Sequence, residues 1–531
     1  MILSFKIISL NMYKYLKILV IPILLIVLSI KVYLLINTPL DSDEVMWSVM
    51  ADNIINNSNH YWFFTDQNFR GSFESYFIVP FQYLFGVNEI TLRINSLIFT
   101  LLTAFLVYKI ILIFSNNQSL SFFGCIFYLI PLPSIYFIYN KAWGGYVLIQ
   151  FLMLLVYLLY YLKVIKRDTN NYNFYLPVLG LVSGISFWVN EQSIYFIFTL
   201  IFISFLVDIE KFKKLKIYSK AIYSIFFFSN LYIIYSIVKK QMFLNVQNSF
   251  AQKLGLNLDF LNFNIYLKDF IFITFGLFLF LSFLNIFIKK FDFVKGVFLN
   301  YCSYVFIVLT INIHFNSFSR LYTMENKDYL KSLNFLYEII IKNIFGPFWV
   351  IFLVAGIFLL IFRIKEVYIA RDFKIKLIDF FLISFFAFPI MFLLSSVPGL
   401  SDTPRYLLLW WPISVLVLIM AIVVFIKNFK NTVIILTLFT ILWLVNTYLI
   451  WNGVQENLSY KSNQDSAYSS LVYEIQKKQK DVCVGSYWNV GLVFFYSNSE
   501  IKCFTSKEYG HYYKFLDQYK VEDTSKVYIV N

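Results

Sequence analysis

Residues 96–114 read SLIFTLLTAFLVYKIILIF, an apolar run broken by one Lys. At 1.5 Å per helical residue it is long enough to cross a hydrocarbon core roughly 30 Å thick. Outward from it, similar runs recur at about 18–36, 121–139, 146–162, 173–188, 193–208 and 221–238. They continue at about 269–288, 296–314, 346–362, 377–396, 406–426 and 431–451. The pattern predicts an all-α polytopic membrane protein of about 13 transmembrane helices. Composition agrees: 60% of the 531 residues are apolar and 14% charged, against about 45–50% and 25% in soluble domains. An ordinary soluble enzyme is excluded. The first run is too long for a signal-peptide core, and no small-residue cleavage pattern precedes Asp41, so it reads as a retained anchor.

Charge decides sidedness. With a cytoplasmic N-terminus, the segments 1–17, 115–120, 163–172, 209–220, 289–295, 363–376 and 427–430 carry 21 Lys and Arg in 70 positions. The opposite set, 37–93, 140–145, 189–192, 239–268, 315–345 and 397–405, carries 12 in 137. Basic residues concentrate in cytoplasmic loops, so this orientation is the expected one. The net charge of +14 therefore belongs to short inner loops and not to a nucleic-acid-binding patch. The expected location is the plasma membrane, with the long loops outside, where cytosolic nucleotides are absent and an enzyme needs a lipid-linked or extracellular donor.

The chain divides into a membrane domain, 1–451, with residues 37–95 as its first outer loop, and an outer tail, 452–531. From about 466 the tail alternates helix (Ser466–Lys478), strand (Asp481–Gly485), helix (Trp488–Tyr496), strand (Ile501–Phe504), helix (Lys507–Tyr519) and strand (Lys526–Val530), a small α/β domain. With spans packed among themselves, removal of the tail is expected to leave the bundle intact. Cys125 and Cys302 fall inside spans. Cys483 and Cys503 each sit in a predicted tail strand; they either form a disulfide, if those strands are neighbours, or remain buried thiols.

The first outer loop is acidic in a basic chain, with Asp41, Asp43, Glu44, Asp52, Asp66, Glu74 and Glu89 against Arg70 and Arg93. Val45, Trp47, Val49, Ile54 and Ile55 suggest that Asp43-Glu44 opens an interfacial helix with an apolar face on lipid. Its carboxylates either face a lipid headgroup or simply complement the positive end of a helix dipole. Arg405 lies at the outer mouth of the twelfth span, in Asp402-Thr403-Pro404-Arg405-Tyr406-Leu407-Leu408-Leu409-Trp410-Trp411-Pro412. Its guanidinium either binds a phosphate bidentately or anchors the span at the interface. Lys141, in Asn140-Lys141-Ala142-Trp143-Gly144-Gly145-Tyr146, and the turn Asn190-Glu191-Gln192 also face outward.

The thirteen spans, the loop opening with Asp43-Glu44, the run Pro80…Leu84-Phe85-Gly86…Leu92-Arg93, the stretch Arg405-Tyr406-Leu407-Leu408…Pro412 and the outer tail together resemble the C-type membrane glycosyltransferases. The resemblance is to relatives of protein O-mannosyltransferases and of the aminoarabinose transferases that modify lipid A. It implies a sugar taken from a polyprenyl-phosphate carrier and passed to a glycan, lipid or protein acceptor at the outer face. It further implies Asp43 as the base that deprotonates the acceptor hydroxyl, with inversion at the anomeric carbon, and Glu44 as an orienting acid. Phosphate is a good leaving group, so one placed carboxylate suffices and Arg405, with Lys141, would neutralise the departing charge. Glu74, Tyr76, Glu191 and Tyr406 are the further candidates for contacting substrate.

Some relatives hold a metal with a second acid in the next outer loop, but residues 140–146 contain no carboxylate. Only His60, His314 and His511 are present, without metal-ligand spacing, so no cofactor is expected to be required and a divalent metal has no clear ligand set. Two other classes compete: a polymerase or ligase of lipid-linked glycans, and a transporter or flippase. The latter predicts charged or Gly/Pro-broken spans and matching halves, which the sequence lacks.

Overall fold

In the first outer loop, Pro39 forbids continuation of the helix before it, and Asp41 starts a new one by accepting the backbone N–H of Glu44 at 2.9 Å. Helix α1 (Leu25–Asn37) and helix α2 (Ser42–Asn57) consequently meet at 87°. The computed structural model describes residues 22, 25–57, 61, 63–64, 67–131, 139–166, 172–212, 349–370, 374–394, 408–429, 432–505 and 527–530. The expected spans at 221–238, 269–288 and 296–314, together with Cys302, Arg405, Tyr406 and the tail helix Lys507–Tyr519, lie outside these residues.

After α2 come two short antiparallel strands, β1 (Phe63–Phe64) and β2 (Gln67–Gly71), then α3 (Phe73–Phe85) and the long apolar α4 (Glu89–Ser115). Asn88 caps α4, its side chain accepting from the N–H of Ile90 and Thr91 while Thr91 returns a bond to the Asn88 backbone. There follow α5 (Gln118–Leu129), α6 (Tyr146–Tyr160), which runs into a π turn (Tyr161–Ile165), and α7 (Tyr172–Val189). A 3₁₀ turn (Glu191–Ser193) leads to α8 (Ile194–Phe212). Further along lie α9 (Trp349–Ala370), α10 (Leu377–Leu394), α11 (Trp410–Phe429) and α12 (Thr432–Lys477).

Among the described residues, Glu89–Ser115 and Tyr146–Ile165 are long and apolar enough to cross a membrane, and the bent pair α1–α2 makes a third if counted as one span. Shorter apolar helices at Gln118–Leu129, Val178–Val189, Ile194–Ser204, Leu377–Phe392 and Trp410–Phe425 overlap the spans expected at those places.

The chain forms two compact units. Met1–Phe151, Asn343–Phe352 and Ser414–Asn531 make the first, and Leu152–Lys342 with Leu353–Ile413 the second. In the second unit, polar side chains link apolar helices. Tyr157 of α6 shares a 2.6 Å hydrogen bond with Ser384 of α10, which donates to Thr199 of α8 at 3.3 Å. Arg363 of α9 grips Asp379 of α10 through two bonds of 2.6 and 2.9 Å. Such contacts replace the hydrophobic drive that helices lose between themselves in lipid.

The first unit places the tail against the first outer loop. Helix α12 runs unbroken through residue 451, where the last span was expected to end, and continues to Lys477. Beyond it, β3 (Val482–Gly485), α13 (Tyr487–Tyr496), β4 (Lys502–Thr505) and β5 (Val527–Val530) build an all-parallel sheet of order β4-β3-β5. Cys483 and Cys503 are register partners on adjacent strands and form a disulfide, with Cα atoms 4.4 Å apart.

Leu492 and Phe495 of α13 share one core with Val45, Met46, Trp47, Met50, Phe64 and Ile78. Val45 and Trp47 are fully buried there, so this side of α2 faces protein and not the lipid interface anticipated for it. The alternation of apolar residues marked a buried face without marking what buries it. Gln464 of α12 adds a double tie to the Leu40 backbone at 3.0 and 2.9 Å, and Lys461 an ion pair to Glu89 at 3.0 Å. The tail is therefore part of the loop's core. A chain ending at Asn452 should still insert into membranes, but its residues 37–93 should become susceptible to limited proteolysis that the full-length protein resists. Equal resistance in both chains would contradict the shared core.

Candidate functional site

Arg93, in the second turn of α4, is fully buried and spends all its donors on the first loop. Its Nε and Nη2 give Glu44 a two-pronged pair at 2.6 and 2.7 Å. Its Nη1 donates to the carbonyls of Leu35 (2.5 Å) and Thr38 (2.9 Å), and Nη2 also donates to that of Pro39 (3.2 Å). The first belongs to the last turn of α1 and the other two follow its end, where no later helical N–H can pair them. One guanidinium thus fixes the corner between α1 and α2, and with it the first turn carrying Asp43 and Glu44. Ser48 of α2 and Gln82 of α3 add a buried reciprocal pair at 2.8 and 3.1 Å.

Three carboxylates, Asp41, Glu44 and Glu74, then hold the loop at residues 140–145. Asp41 Oδ2 accepts from Lys141 Nζ at 2.7 Å and from the Trp143 indole at 2.5 Å. Glu44 accepts the backbone N–H of Ala142 at 2.8 Å, and Glu74 that of Gly144 at 2.7 Å. Asn95 Nδ2 donates to the other Glu74 oxygen at 2.9 Å, and Ser96 Oγ donates to the Lys141 carbonyl at 2.8 Å.

Gly144 and Gly145 make this possible, with φ of +78° and +80° that side-chain-bearing residues adopt at a cost. A Cβ on Gly144 would also come within 2.5 Å of Arg70 Cδ. Burial pushes the Glu74 carboxyl up to about 7, against the opposing pull of the Gly145 and Gly144 N–H groups, the Arg70 charge and Asn95.

Of the residues singled out from sequence, Glu44, Glu74 and Lys141 are brought into one hydrogen-bonded cluster, with Asp43 in the same helical turn as Glu44. Glu44 is wholly buried whereas Asp43 is half-buried. Lys141 also stands 4.7 Å over the Trp143 ring. Tyr76 is exposed along its flank, and its hydroxyl accepts the Tyr61 N–H at 3.0 Å. Glu191 opens the 3₁₀ turn of the other compact unit.

Asp41, Arg70, Asn95, Trp143 and Gly144 carry much of the geometry without having been proposed as site residues, and Arg93 had been named only among the loop's charges and as part of a motif. The signal for Arg93 was present. An Arg at the start of an apolar span needs a counter-charge, and the preceding loop is where the acids are. Among the described residues no three His, Cys, Asp or Glu side chains gather as a metal-ligand set.

No protein-family model matches the chain, and no curated protein matches its sequence. Among solved structures it is similar to the oligosaccharyltransferase of Archaeoglobus fulgidus in complex with Zn and sulfate. That match has a TM-score of 0.45 and 13% identity, covering 92% of this chain and 62% of that one. The apo form of the same protein gives a TM-score of 0.43 and 12% identity, covering 92% and 65%. The chain thus spans less than two thirds of the length of the protein it matches.

Arg93→Met leaves Glu44 buried and uncompensated, a loss of about 3–5 kcal/mol that should appear as a large drop in thermal midpoint. Arg93→Met with Glu44→Met should recover part of it, because the two side chains act as one unit; strictly additive losses would refute the coupling.

Glu74 titrates near 7 in the folded chain and near 4.5 when unfolded, so the fold favours its protonated form. Its stabilising contribution is complete below about pH 4.5, is lost as pH rises toward 7, and is worth about 3 kcal/mol. Glu74→Gln should flatten that part of the stability profile measured between pH 4 and 8.

Proposed function

We propose that this protein is an integral-membrane glycosyltransferase that moves a sugar from a polyprenyl-phosphate carrier to an acceptor at the outer face, with inversion. The observation that carries the reading is the division of labour among the loop carboxylates. Asp41, Glu44 and Glu74 fix the two outer loops against each other, and the half-buried Asp43 sits on the turn they immobilise. A carboxylate held at a rigid helix start beside a membrane span is where a base for a lipid-borne substrate has to be.

In this reading Asp43 takes the proton from the acceptor hydroxyl as its oxygen attacks the anomeric carbon. The bond to the carrier phosphate breaks on the opposite side. Glu44 acts through Arg93 to place that turn. Lys141, steadied by Asp41 and Trp143, offers a cation to the phosphate; the sequence resemblance assigns Arg405 to the phosphate and Tyr406 to the substrate as well. Glu74 and Tyr76 are assigned to the substrate, and Glu191 is so assigned on the sequence alone. No step is routed through a metal.

The disulfide supports the outer-face assignment of the tail, since such bonds persist in oxidising compartments. The plasma membrane, a cytoplasmic N-terminus and a glycan, lipid or protein acceptor complete the proposal.

The test is release of free polyprenyl phosphate from polyprenyl-phosphate hexoses by purified protein, with and without a divalent chelator. Wild type should release it, and Asp43→Asn should be slower by about 10²–10⁴-fold, the range for loss of a general base. Equal release by both would remove Asp43 from the role. Release only from oligosaccharide-bearing carriers would move the assignment to a glycan polymerase or ligase.

A further inference from the structure

Glu74 is 4% exposed, and among the described residues every group that meets its carboxylate is a donor. Oε2 accepts the Gly144 N–H at 2.7 Å and Oε1 the Asn95 Nδ2 at 2.9 Å, with the Gly145 N–H and the Arg70 guanidinium beside them. Such surroundings suit a carboxylate and leave a carboxylic acid with nowhere to donate. One exception is built in. Asn95 Oδ1 is buried and has no hydrogen-bond partner among the described residues, and a half-turn of that amide exchanges it with Nδ2. Asn95 therefore donates to Glu74 when it is ionised and accepts from it when it is protonated, at the same place.

Burial pushes Glu74 up to about 7, so both forms are populated near neutral pH. Of the charged groups on the elements around it, Arg70 of β2 acts on Glu74 directly and favours the ionised form, with the ring of Tyr146 of α6 5.8 Å from its guanidinium. Arg93 of α4 is spent on Glu44 of α2, and Lys141 on Asp41.

The two forms hold residues 140–145 differently. A carboxylate accepts more strongly than a neutral carboxyl, so protonation weakens the bond to Gly144. Trp143, next in the chain, bonds Asp41 through its indole and has Lys141 Nζ 4.7 Å over its ring. Slack at Gly144 thus reaches the cation.

We propose that Glu74 and Asn95 form a proton-operated latch on residues 141–144, in which the ionised carboxylate sets Lys141 for the carrier phosphate and the protonated one slackens it. This rests on the donor reading above and deepens it: Glu74 serves the substrate through the loop, as a positioning residue.

Two measurements test it, on wild type and on Glu74→Gln, which keeps a neutral side chain at every pH. Hydrogen exchange of the backbone amides of residues 142–145, corrected for intrinsic rates, reads the latch alone. Wild type should be about five- to tenfold more protected than the variant at pH 8 and should match it at pH 5.5. Titration with a polyprenyl-phosphate hexose, a phosphodiester whose single charge is constant over this range, reads the consequence. Wild type should bind about fivefold more weakly at pH 5.5 than at pH 8, and binding near pH 7 should release protons to the buffer. The variant should bind weakly at both, without that release.

Equal protection of the two proteins at pH 8 would overturn the latch, and carrier binding that ignores pH while protection follows it would overturn its tie to Lys141. If wild type binds no polyprenyl-phosphate sugar, the donor reading fails and the phosphate half of the proposal with it. Wild-type protection that follows pH would then still support the latch, and flat protection would overturn it. Should the variant misfold, the pH course of wild-type protection and the proton release decide, because a purely structural Glu74 moves neither.

Discussion

The buried pair between Arg93 and Glu44 is the contact on which the rest of the first unit depends. Taking a guanidinium and a carboxylate out of water is costly, and the attraction between them offsets this only when the remaining donors and lone pairs are also satisfied. Here they are. The guanidinium caps three carbonyls at the end of α1, and Glu44 also takes the N–H of Ala142. Two apolar helices, the corner between them and the loop at residues 140–145 are therefore tied to a single ion pair. A Lys in place of Arg93 has one charge and three donors in a different geometry, too few to keep all these partners.

That arrangement gives the acidity of the first loop a physical explanation other than catalysis for most of its members. Asp41, Glu44 and Glu74 each bind a different point of residues 141–144, two of them backbone N–H groups of a loop bent by Gly144 and Gly145. A short loop has few neighbours to pair its backbone, and carboxylates reaching from the adjacent loop serve instead. Excess negative charge in that loop thus reflects both the holding of structure and the chemistry proposed for Asp43.

Legibility from sequence followed interaction range. Apolar runs such as 96–114 were readable because a span is a property of consecutive residues, and α4 (Glu89–Ser115) contains that run entire. The strand and helix order of the tail, periodic over a few residues, was readable for the same reason: β3, α13 and β4 fall where the pattern placed them. Contacts between distant segments were not. Nothing local in Val45 or Trp47 says that Leu492 and Phe495 cover them, and the tie between Gln464 and Leu40 joins residues 424 positions apart. The roles of Asp41 and Glu74 were hidden likewise, because a carboxylate that accepts a backbone N–H from another loop leaves no pattern in either segment.

The disulfide gives the tail a more direct part in the site than its position at the end of the chain suggests. The 20-residue separation between Cys483 and Cys503 encloses α13, the helix whose Leu492 and Phe495 bury α2. Closing that loop restricts the unfolded tail, and so favours the state in which α13 is formed and docked. Tyr496, at the end of the same helix, is stacked on Tyr468 of α12 with ring centroids 5.6 Å apart, and its hydroxyl bonds to Asp465. Covalent closure in the sheet, aromatic stacking on α12 and apolar packing on α2 all act on one ten-residue helix. The rigidity of the turn bearing Asp43 is consequently set from two sides, by Arg93 from within the membrane domain and by α13 from the tail.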